Sequence, residues 1–142
     1  MSKLLNLEVA NITSQTLTTN ALVNLGNITR KYCVKCNCKP TFSYENGETS
    51  ISLNQAGYYV VRINSTFSGV PGVVILQLNA NGIAVPQATA SETITTANTE
   101  VRSVSFSTIV KVLPCSTVPL TVTNTGVSST ISNFAIDIIK II

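Results

Sequence analysis

Four cysteines carry the densest chemistry in this 142-residue chain. Cys33, Cys36 and Cys38 fall together in Tyr32-Cys33-Val34-Lys35-Cys36-Asn37-Cys38-Lys39-Pro40, and Cys115 follows Pro114 far downstream. A C-x-x-C spacing lets two thiolates on a tight turn reach one tetrahedral zinc ion, which four sulfurs would complete. The second C-x-x-C knuckle of such a site is missing and the chain has no histidine, so zinc would need every cysteine, with Cys36 and Cys38 turned inward together. Zinc ligation, a disulfide and free thiols stand as the three readings. We assign the cluster to a disulfide or free thiols, with no metal and no cofactor. Cys115 meets the Cys33 to Cys38 loop only if both lie at the same end of the fold. A cysteine nucleophile needs a base to generate its thiolate, and without histidine none is expected.

The six acidic residues, Glu8, Glu45, Glu48, Glu92, Glu100 and Asp137, are scattered. A carboxylate pair for acid–base chemistry would have to arise from folding alone, and the expectation is solvated surface charge. Glu45 and Glu48 flank Asn46-Gly47, where calcium would demand more oxygen ligands than the loop offers. Asn11-Ile12-Thr13, Asn27-Ile28-Thr29 and Asn64-Ser65-Thr66 match the glycosylation acceptor pattern, which a chain this rich in Asn and Thr produces by chance. No catalytic residue is assigned, and the protein is not expected to be an enzyme.

Only 11% of residues are charged and 44% are hydrophobic, a balance that folds into one ordinary-sized domain. Residues 1–40 are read as an N-terminal strand and attachment segment with a Cys-rich loop, and residues 41–142 as the body. The net charge of +3 is spread thinly, without a basic run interleaved with aromatics, so nucleic acid is excluded as a partner. The start Met1-Ser2-Lys3-Leu4-Leu5-Asn6 runs into Glu8 rather than the apolar stretch of a signal peptide. No apolar run approaches the ~20 residues that cross a bilayer, so no membrane partner is expected.

The elements that must position these groups are strands. In Gly57 to Phe67, Tyr59, Val61, Ile63 and Phe67 share one face and Tyr58, Val60, Arg62 and Asn64 the other, which puts the first face in the core. Asn46-Gly47 predicts a tight hairpin because both residues tolerate positive φ. Val73 to Asn79 reads as a strand ending at Asn81-Gly82. Gln15 to Gly26 reads as one strand or two, and Gln87 to Thr99 as a looser polar stretch. Glu100 to Leu113 is a long strand stopped by Pro114, with Val118 to Asn124 and Ile131 to Ile142 as the last two. No stretch has helical periodicity. The expectation is an all-β, antiparallel sandwich of the jelly-roll type with about 8–10 strands.

The succession Leu53-Asn54-Gln55-Ala56-Gly57-Tyr58-Tyr59-Val60-Val61, Val74 to Pro86, Thr121-Val122-Thr123-Asn124-Thr125-Gly126 and Ser132-Asn133-Phe134-Ala135-Ile136 resembles the trimeric jelly roll of the tumour-necrosis-factor (TNF) and complement globular-head superfamily. It looks most like the bacterial and bacteriophage branch, with its phage head-fibre and capsid-decoration proteins and collagen-like spore-surface C-terminal domains. The resemblance covers roughly residues 48 to 142, and the Cys-rich stretch is no part of its pattern. It implies a TNF-like homotrimer around a three-fold axis, with Tyr58, Val60 and Arg62 facing neighbouring protomers. Both faces of that strand are also unusually apolar, the mark of an interface. The alternative is that an N-terminal segment of the same chain covers Tyr58 and Val60.

These readings lead to a non-enzymatic structural protein of a bacteriophage virion, made in the host cytoplasm and displayed on the particle among other capsid proteins as a decoration or head-fibre module. The alternatives are a module binding a host-surface glycan or receptor through loops such as Gln87 to Thr99, and a spore-surface coat protein.

Overall fold

Gly57–Gly69 alternates strictly between exposure and burial along its length, with Tyr59, Val61, Ile63, Ser65 and Phe67 all turned inward. This period-two pattern is what a strand needs when one face meets a core. The computed structural model describes residues 5–33, 35–36 and 39–142, and every paired strand among them is antiparallel. The strands are β1 (Asn6–Asn11), β2 (Gln15–Leu17), β3 (Asn27–Tyr32), β4 (Lys35–Cys36), β5 (Lys39–Pro40), β6 (Phe42–Ser43), β7 (Ile51–Leu53), β8 (Gly57–Gly69), β9 (Gly72–Ala80), β10 (Ile83–Ile94), β11 (Arg102–Val112), β12 (Val118–Asn124) and β13 (Ser129–Lys140).

Two sheets sandwich the core. The front sheet runs β11-β8-β13-β1-β3, with β2 also beside β13; the back sheet runs β10-β9-β12-β7-β6, and β4 pairs only with β5. From β7 to β9 and again from β10 to β13 the chain changes sheet at each connection, giving the expected jelly roll. Each crossing places apolar alternation from one sheet against the other. Tyr59, Phe67, Phe134, Leu76 and Leu78 are fully buried between them, at roughly 1.5–3 kcal/mol of burial free energy for each large side chain. Phe42 from the back sheet meets Tyr59 from the front edge-on, centroids 6.0 Å apart, the arrangement aromatic quadrupoles favour. The Tyr59 hydroxyl donates to the Gln55 carbonyl at 2.7 Å, so its polar end is satisfied.

Thirteen strands are present among the described residues, more than the eight to ten expected, because five are two or three residues long. Such short pairings have no periodicity to read. The Asn81-Gly82 turn is the tight hairpin expected, both residues having positive φ. Asn46-Gly47 instead tips a wider loop between β6 and β7, with only Gly47 in the left-handed region. Gln87 to Thr99 is largely strand rather than a loose stretch: β10 continues to Ile94, pairing with β9. As an edge strand it turns Thr89, Ser91 and Thr93 to solvent, which disguises it in the sequence. Within Gln15 to Gly26 only β2 and an isolated bridge from Leu22 to Thr123 form. The N-terminal segment supplies β1 and β3 to the front sheet.

Candidate functional site

The outward face of the front sheet is organised in rows by strand register. In the first row Ile109, Val60, Ile139, Asn6 and Tyr32 stand side by side on β11, β8, β13, β1 and β3. Ile109 is 59% exposed, and Val60 and Ile139 are half-buried by their neighbours alone. Tyr58, 38% exposed, extends this band, with the Lys111 ammonium 5.6 Å from its ring centroid, a cation–π contact. Leu113 and Ile141 are exposed near the same end. The Ile141 amide donates to the Tyr58 carbonyl at 2.9 Å and the Tyr58 amide to the Ile142 carbonyl at 3.2 Å, which holds the chain terminus against β8. Tyr58, Val60 and Arg62 therefore share the outer face expected from alternation. Tyr58 and Arg62 are exposed.

The second row reads Ser107, Arg62, Asp137, Glu8 and Arg30. Arg62 Nη2 donates to Asp137 Oδ2 at 2.8 Å, and Arg30 Nε lies 3.4 Å from Glu8 Oε2. The third row is built of short side chains, Ser105, Asn64, Ala135, Ala10 and Asn27. The drop in side-chain height leaves a trough of about 680 Å³, lined by residues including Arg62, Asn64, Ser105, Ala135, Glu8 and Asp137.

Folding thus brings two of the scattered carboxylates together. Glu8 and Asp137 come from opposite ends of the chain and meet only because β1 lies beside β13 in this register; no local motif signals it. The loop at Asn46-Gly47 commits its oxygens elsewhere. The Glu48 carbonyl accepts from the Leu25 amide at 3.0 Å and from the Tyr44 hydroxyl at 3.2 Å.

Cys33 and Cys115 are free thiols, the first half-buried and the second exposed. They follow β3 and β11, which form opposite edges of the front sheet. Four strand spacings put those edges about 20 Å apart, far beyond disulfide reach. Cys38 and the side chain of Cys36 lie outside the described residues, as do the disulfide and zinc readings that depend on them. Among the described residues no group of three metal-ligating side chains forms, and no helix is long and apolar enough to cross a membrane.

No protein-family profile matches the chain, and no curated protein matches it in sequence. Solved structures do match. The globular domain of zebrafish complement 1qA superposes with a TM-score of 0.68 at 8% identity, covering 97% of this chain and 98% of that one. The Eiger TNF of S. frugiperda gives 0.70 at 9% identity, covering 99% and 94%. Murine APRIL gives 0.64 at 6% identity, covering 98% and 100%. The chain therefore has the TNF/complement 1q jelly-roll fold. The likeness spans nearly the whole chain, including the N-terminal strands, which the sequence matches only in outline.

Proposed function

We propose that this protein is a non-enzymatic, self-associating structural module, three copies packing around a three-fold axis through the outward face of the front sheet. The observation that carries this reading is the apolar row Ile109, Val60 and Ile139 with Tyr58 beside it, set across adjacent strands of one sheet face. Contiguous apolar surface of this kind marks an interface. The fold supports the same reading, because the resemblance to the TNF and complement globular-head superfamily implies a homotrimer.

The module is proposed to decorate a bacteriophage capsid or to form its head fibre, with residues 1–40 taking part in attachment. Light scattering at micromolar protein tests the assembly: the expected mass is three protomers, and a mass of one protomer overturns it. Co-sedimentation of the protein with purified phage particles tests the virion role, and its loss from every particle fraction overturns that part alone.

A further inference from the structure

We propose that the row Arg30, Glu8, Asp137 and Arg62 is an acid-labile latch of the self-associating face. The inference rests on the self-association proposed above and goes beyond it by naming what opens the assembly. Register sets the two carboxylates directly opposite each other on β1 and β13, an arrangement that repels in isolation. An arginine on each flank offsets that repulsion: Arg62 from β8 at 2.8 Å and Arg30 from β3 at 3.4 Å. The row as a whole is neutral only while both carboxylates are ionised.

In the single protomer these pairs are wet. Arg30 and Arg62 side chains are 71% and 56% exposed, and solvent-exposed pairs contribute little. Glu8, Asp137 and Arg62 of the row nevertheless line the trough at the centre of the face, one register step from Val60 and Ile139. A second copy seated on the apolar row would therefore cover the charges too, and covered charges interact far more strongly than wet ones. The titratable and charged side chains paired on the row are these four; Ser107 and the small third row add no charge, the first row carries Tyr32 on β3, and the Lys111 ammonium lies a step beyond it at Tyr58. Protonating Glu8 and Asp137 would leave two guanidinium groups per protomer uncompensated in a desolvated contact. The covered state thus favours the ionised carboxylates. Assembly therefore holds at neutral pH and weakens in acid.

The test is sedimentation velocity at pH 7.0 and pH 3.5 in constant salt, with circular dichroism at both. Wild type is expected to be trimeric at pH 7.0 and to fall to one protomer at pH 3.5 with its β spectrum intact. The variant E8Q/D137N, which imitates protonation, is expected to be one protomer already at pH 7.0. The variant E8Q/R30Q/R62Q/D137N, with no charge left in the row, is expected to be trimeric at both. A wild type trimeric at pH 3.5, an E8Q/D137N protein trimeric at pH 7.0, or a charge-free variant that is monomeric at either pH overturns the latch while leaving the trimer standing. A wild type monomeric at pH 7.0 overturns the self-association reading itself.

Discussion

Glu8 faces Asp137 across the β1–β13 ladder, and each carboxylate pairs outward with an arginine from the next strand rather than with a residue of its own. Both pairs sit on the sheet face that carries the apolar row. Within one protomer they are too exposed to matter much for folding, so their placement is informative about what the face meets.

Replacing Val60 with glutamate puts a charge in the middle of the apolar row, between Ile109 and Ile139. The position faces outward, so the protomer is expected to lose no more than about 1 kcal/mol. Light scattering should nevertheless report a mass of one protomer. A trimer with unchanged affinity would move the interface elsewhere.

Asn124 is fully buried and ties three segments together. Its Nδ2 donates to the Val127 carbonyl at 2.8 Å and the Leu17 carbonyl at 3.3 Å, and its Oδ1 accepts from the Gly126 amide at 3.1 Å. Asn124→Leu would strand all three backbone groups, at about 3 kcal/mol. Urea unfolding should show the midpoint fall with little change in slope.

The irregularity in β10 between Ala84 and Thr89 leaves backbone carbonyls without ladder partners. Gln77 Nε2 serves them, lying 3.0 Å from the Val85 carbonyl and 3.2 Å from that of Ala88. Gln77→Leu is expected to cost about 1–2 kcal/mol. Hydrogen exchange should speed up at β10 and leave the front sheet unchanged.

Glu100 holds the connection between β10 and β11. The Thr95 hydroxyl at 2.7 Å, the Thr95 amide at 3.0 Å and Arg102 Nε at 3.1 Å converge on its carboxylate, and these bonds lower its pKa from 4.5 to about 2. A pKa lower in the folded state stabilises the ionised form. The Glu100 contribution to this connection is therefore present above pH 4.5 and is lost as pH falls toward 2. An NMR titration should show the Thr95 amide shifting in that window, and Glu100→Gln should loosen the connection at neutral pH. A Thr95 amide that titrates near 4.5 would remove Glu100 from this role.

The sequence alone determined the β character, the inward face of β8 and the Asn81-Gly82 hairpin, because alternation and turn residues act through neighbours a few positions away. Tyr59, Val61 and Ile63 are buried and Tyr58 and Arg62 exposed for that local reason. It did not reveal β10 as strand, since an edge strand with Thr and Ser outward has the composition of a loop. The short pairings of β2, β4, β5, β6 and β7 carry too few residues for any period. Only the tertiary structure decided the rows: which residue of β1 meets which of β13 depends on register between the two ends of the chain. That choice turns two of the six scattered acids into one opposed pair flanked by arginines, and places Cys33 and Cys115 after strands on opposite edges of the same sheet.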